Sequence, residues 1–146
     1  MRSAVIDGST AVAWAMMDEP SADADFALEQ VRVHGGVAPQ LWWAELRNAL
    51  LVAERRGRTT PAITDTALAA LETLPVQLDY KPNGPLVLRL ARAHYLTIYD
   101  ALYLELALRE NRPLATLDRK LARAAEAEGV ERLCAATRRA SPVAGS

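Results

Sequence analysis

Cysteine is almost missing from this chain. Cys134 stands alone, so no internal disulfide can staple the fold, and the expected compartment is the cytoplasm. Histidine is equally sparse. His34 and His94 have no cysteine or second histidine beside them, so neither is expected to hold a metal. Long apolar runs are lacking too: acids or arginines break every stretch within about a dozen residues, too short for a spanning helix. The first residues lack the basic-then-apolar pattern of a secretory leader, because Asp7 interrupts it. Nor is there an excess of charge. The formal net charge is −1, so no bulk field draws the chain toward nucleic acid. Lysine is limited to Lys81 and Lys120; the arginine bias fits an alanine-rich composition and needs no special role.

What remains is a chain of 146 residues, 51% hydrophobic and 24% charged, which is enough for one domain with a real core. No repeat or linker divides it. The domain is expected over residues 1–137, followed by a polar tail over 138–146 that is expected to be mobile.

The chain is organised around Ser3 to Ser9. Ala4, Val5 and Ile6 form a short apolar run with two β-branched residues, read as a buried strand. Asp7 ends it, Gly8-Ser9 follows, and a helix is expected over 10–17. This puts a carboxylate at the carboxyl end of a buried strand, where open α/β sheets bind their ligands. Further on, Ser21 caps a helix over 22–34, Val37-Ala38 is a short strand, and a long helix covers 40–56. Thr60-Pro61 opens a helix to about residue 74. Strands are expected over 76–78, 113–116 and 130–133, with helices over 86–95, 98–110 and 118–128 between them. The alternation predicts an α/β fold with a mostly parallel sheet of about five strands, helices on both faces.

Besides Asp7, three acids stand out. Glu45 lies about 60° from Trp42 on a helical wheel, within the apolar arc, whereas Arg47, Glu54 and Arg55 fall on the opposite side. Acids are rarely buried unless paired or metal-bound. Asp100 sits in the first turn of a helix that is apolar almost all round; Thr97 three residues earlier makes a capping box an equally open reading. Asp118 lies just beyond the strand over 113–116, after Leu114-Ala-Thr116-Leu117, and either caps the next helix or faces the crevice. By contrast, Glu105 has the spacing to pair with Arg109 and needs no functional role. If the strand over 113–116 lies beside the first, these acids meet at one edge of the sheet. Clustered carboxylates repel unless a cation neutralises them, and hard oxygen donors without His or Cys select Mg²⁺ or Mn²⁺. Such an ion serves phosphodiester hydrolysis.

Val5-Ile-Asp7-Gly-Ser9, Trp43-Ala-Glu45-Leu-Arg-Asn48, Ile98-Tyr-Asp100-Ala-Leu-Tyr103 and Leu114-Ala-Thr116-Leu-Asp118 together resemble the four acidic motifs of the PIN domain, and more narrowly those of the VapC toxins of bacterial toxin–antitoxin pairs. The resemblance runs from residue 3 to about 134. It implies a single PIN-like domain with strand order 3-2-1-4-5, Mg²⁺- or Mn²⁺-dependent endoribonuclease activity, a homodimer, and a small VapB-type antitoxin that blocks the acidic site. Carried over by position, Asp7, Glu45, Asp100 and Asp118 are the catalytic, metal-binding acids, and Ser9 and Thr116 are supporting hydroxyls. Gly8 departs from the many relatives that carry a side chain there, with no effect on the metal expected.

Arg119, Lys120 and Arg123 follow Asp118 and are placed to reach RNA phosphates. The denser cluster Arg55-Arg56-Gly57-Arg58 reads better as a solvated helix end. Trp14, Trp42 and Trp43 are expected in the core or a dimer interface. Two rival functions remain. An aspartyl-phosphate enzyme would want a second acid two residues after Asp7, where Ser9 stands. A catalytically inactive PIN-like module that binds RNA or a partner would not need all four acids.

Overall fold

A computed structural model describes residues 2–16, 18 and 20–135. The expected tail over 138–146 lies outside the described residues. Each strand is short and each is followed by helix: β1 (Ala4–Ile6), α1 (Gly8–Met16), α2 (Ala22–His34), β2 (Gly36–Pro39), α3 (Leu41–Arg55), α4 (Pro61–Leu71), β3 (Val76–Asp79), α5 (Gly84–His94), α6 (Ile98–Glu110), β4 (Leu114–Ala115) and α7 (Arg119–Ala127).

The helix starts are set locally. Ser21, Thr60, Asn83, Thr97 and Asp118 each accept the N–H three residues ahead, from Ala24, Ile63, Leu86, Asp100 and Leu121 respectively. These are N-caps that satisfy otherwise orphaned donors. The sheet is parallel throughout, with order β3-β2-β1-β4. Val5 of β1 is opposite both Val37 and Leu114, so β1 and β4 are neighbours as expected. Among the described residues a fifth strand is not formed. The stretch over 130–133 makes one parallel bridge, Leu114 with Arg132, through Leu114 N–H to Glu131 O and Leu133 N–H to Leu114 O, both 2.9 Å. It lies where a fifth strand would lie, but β4 offers only two residues of edge, too little for a ladder.

Helices α1 to α4 pack on one another, and α6 packs on α5, α7, β1 and β2. The chain steps from β1 outward to β3 and then returns to β4 on the other side of β1. Right-handed crossovers therefore put α1–α4 on one face and α5–α6 on the other. Val5, Ile6, Leu46, Leu50, Leu90, Leu104 and Leu114 fill the space between, each 1% exposed or less.

Glu105 is buried in α6 and does pair with Arg109, whose Nε lies 2.5 Å away. The carboxylate also accepts the N–H of Asn83, and Arg109 reaches Asp79 at the end of β3. This cluster locks the β3–α5 connection to α6 and pushes the Arg109 pKa further up. His94 pairs with Glu128, 2.7 Å away, which also takes Arg89. Trp14 and Trp42 are core residues, but Trp43 is 54% exposed with the Arg47 guanidinium 3.9 Å from its ring centroid.

Candidate active site

Asp7 is the first residue after β1 and is 4% exposed. Its Oδ1 accepts the Thr10 N–H at 3.0 Å, which caps α1. The Ser9 hydroxyl lies 2.8 and 2.9 Å from its two oxygens, and the Thr116 hydroxyl donates to Oδ2. Burial pushes the Asp7 carboxyl above its ordinary range, and these donors hold it only partly back. Both hydroxyls also accept. Ser9 Oγ takes the Leu117 N–H and Thr116 Oγ1 takes the Asp118 N–H, each at 3.0 Å. Two hydroxyls thus fasten Asp7 to the loop that carries Asp118.

Glu45 projects from the second turn of α3 and is half-buried. Its carboxyl is pushed up by burial first, then by the charges of Asp7 and Asp100. Asp100 lies in the first turn of α6, raised by burial and by Asp118, with Thr97 and Lys120 pulling the other way. In the capping box it is the Asp100 N–H that Thr97 serves; the Asp100 carboxylate accepts no hydrogen bond from a backbone N–H among the described residues. Asp118 caps α7 through Leu121, so both readings of that residue hold together. The four acids expected from the sequence form an electrostatic series: Asp7 acts on Glu45, Glu45 is acted on by Asp100, and Asp100 by Asp118.

Sequence reasoning missed Tyr103. It is fully buried in α6, and burial first, then Glu45, Asp7 and Asp100, push its hydroxyl pKa far up. The hydroxyl faces the Glu45 carboxylate closely enough for each to shift the other, in a contact short of full hydrogen-bond geometry, and no other group among the described residues partners it. The available signal was its place three residues after Asp100, on the same face of the helix. Gly8 is also closer to the site than expected: a β-carbon there would sit 2.1 Å from Glu45 Oε1. Arg119, Lys120 and Arg123 are exposed on α7, and of these Lys120 reaches the acids electrostatically, through Asp100.

Among the described residues, no three acidic, imidazole or thiol groups close tightly enough to cage an ion as they stand. The donor set nevertheless suits a hard divalent cation that keeps part of its water: oxygen ligands only, mutually repelling, with the Tyr103 hydroxyl beside Glu45.

Acids at the carboxyl edge of a four-stranded parallel sheet, on both sides of its central strand, define an α/β protein with its ligand crevice at the switch in strand order. The chain belongs to the PIN domain family, whose model matches residues 4–127. PIN domains are generally nucleases that use divalent metal ions. The chain is similar to the crystal structure of PAE2754 from Pyrobaculum aerophilum, with a TM-score of 0.67 and 26% identity over 84% of this chain and 86% of that one. No curated protein matches significantly. No helix among the described residues is long and apolar enough to cross a membrane.

Proposed function

We propose that this protein is a Mg²⁺- or Mn²⁺-dependent endoribonuclease and the toxin of a VapBC-type toxin–antitoxin pair. The observation that carries the nuclease reading is the series of carboxyls Asp7, Glu45, Asp100 and Asp118, three of them with raised pKa and Asp100 only partly offset by Lys120. Such a series costs stability unless a cation occupies it. Asp7, Glu45, Asp100 and Asp118 would hold the ion, which when bound polarises a phosphate and activates water. Ser9 and Thr116 orient Asp7. Lys120, with Arg119 and Arg123, would track the RNA backbone.

The toxin reading and its VapB-type antitoxin rest on the four sequence motifs. A homodimer is supported by the large apolar side chains that α3 and α6 leave exposed: Trp43, Leu51, Ile98 and Tyr99. Sedimentation at micromolar concentration tests the dimer.

The deciding experiment incubates the purified chain with RNA in Mn²⁺ or Mg²⁺ and in chelator, beside an Asp100→Asn control, and expresses it in cells with and without the neighbouring small reading frame. Metal-dependent cleavage that Asp100→Asn abolishes, with growth arrest relieved by the small protein, supports the proposal. Specific metal-independent RNA binding without cleavage would instead establish the inactive binding module.

A further inference from the structure

Glu45 is held on two sides by residues that the acidic motifs do not include. On one side is Gly8, the first residue of α1. A β-carbon at this position would lie 2.1 Å from Glu45 Oε1, 2.8 Å from its Cδ and 3.2 Å from its Cγ. The end of the glutamate therefore occupies the space that a side chain at residue 8 would fill. Ordinary contact begins at 3.4 Å, so any side chain at residue 8 drives the carboxylate back by more than an ångström. Backbone conformation does not demand glycine here: residue 8 is helical and its φ is not positive. Alanine would be the better helix former. On the other side is Tyr103, fully buried, with a hydroxyl that faces Glu45 and has no other partner among the described residues. Buried hydroxyls are satisfied as a rule, and the Glu45 carboxylate is the acceptor that this one faces.

We infer that Gly8 and Tyr103 are positioning residues for Glu45: Gly8 leaves the space that the carboxylate occupies, and the Tyr103 hydroxyl fixes its orientation toward a bound cation. The inference rests on the nuclease reading above and adds the device that sets one of its ligands. It also accounts for glycine at a helical position where alanine costs less. Neither residue touches substrate; both act through Glu45.

Gly8→Ala and Tyr103→Phe test it, because each is expected to be harmless to folding. The first improves helix propensity, and the second keeps the buried ring and removes only the hydroxyl that faces Glu45. Each variant is melted in chelator and titrated with Mn²⁺ alone by calorimetry, without RNA. The expected result is a melting temperature in chelator equal to or above wild type, with Mn²⁺ binding weakened about tenfold, the scale of losses when a ligand's support is removed. In a Glu45→Gln background, the Gly8→Ala change should weaken Mn²⁺ binding no further, since the two substitutions act on one group. In cleavage assays kcat falls while KM for RNA is held. Wild-type Mn²⁺ affinity in both variants overturns the inference, as does a melting loss in chelator, which would make the two residues packing elements. If the wild type itself binds no Mn²⁺ and cleaves no RNA, the nuclease reading fails and this one with it; if it does both and the variants match it, the inference alone fails.

Discussion

Thr116 donates its hydroxyl to the Asp7 carboxylate, 109 positions away in sequence, and the same oxygen accepts the N–H of Asp118. One buried hydroxyl therefore ties together the two acids that follow the neighbouring strands β1 and β4. Thr116→Val keeps the shape, strips a donor from Asp7 and leaves the Asp118 N–H unpaired. The expected cost is about 1–3 kcal/mol of stability, read by urea unfolding, while Thr116→Ser stays close to wild type.

Asp100 and Asp118 should separate function from stability. The Asp100 carboxylate caps nothing and is raised by burial and by Asp118, so Asp100→Asn in chelator should stay within about 0.5 kcal/mol of wild type or gain. Asp118 is the cap of α7, and Asp118→Ala should cost about 1 kcal/mol. Both should abolish RNA cleavage. Unfolding curves in chelator beside one cleavage assay check the contrast.

Stability in chelator should fall as pH rises through the mildly acidic range. Asp7, Asp100 and Glu45 have folded pKa values above their ordinary 3.8, 3.8 and 4.5. The folded protein thus binds more protons than the unfolded chain between those values and the raised ones, and linkage makes stability decline with pH there. Glu128 works in the opposite sense. Arg89 and His94 lower its pKa below 4.5, so its contribution is present above 4.5 and lost as pH falls through the lowered value. Melting in chelator should therefore peak in the acid range where these windows meet, below neutrality. Mn²⁺ should raise the melting temperature most at neutral pH, where the acids are charged and a ligand of the folded state stabilises it. A pH series of melts, with and without Mn²⁺, measures both effects.

Arg119→Ala and Lys120→Ala should weaken RNA binding more at low salt than at high salt. Each lost phosphate contact should lower the slope of log K against log salt by about 0.7 on single strands. Fluorescence anisotropy on a catalytically inert background gives that slope.

The parts of this molecule legible in its sequence are those fixed within a few residues. The caps Ser21, Thr60, Thr97 and Asp118 announce themselves because each serves an N–H three positions on. β1 and Asp7 are legible because a buried strand ending in an acid has few alternatives. The single bridge at Arg132 is not, since a two-residue partner edge decides it rather than the valine and leucine nearby. Tyr103 reads as one more apolar residue on an apolar helix; what distinguishes it is the company of Glu45 and Asp7, brought in from other elements. Gly8 reads as a turn residue, and its contact with Glu45 depends on how α1 crosses α3. Of the three tryptophans expected in the core or a dimer interface, Trp14 and Trp42 are in the core, whereas Trp43 sits one step past the buried face that Trp42 occupies and is exposed.

The order of strands across the sheet also sets a clock on synthesis. β1 is the first strand made, yet one of its two neighbours, β4, is the last of the described strands to leave the ribosome. At about 5–20 residues per second, Asp7 waits several seconds for Thr116 and Asp118. Until then the Thr116 bond to its carboxylate does not exist, and a chain still being translated carries no assembled crevice. Chemistry that needs the acids on both sides of β1 begins only when translation of the domain is nearly complete.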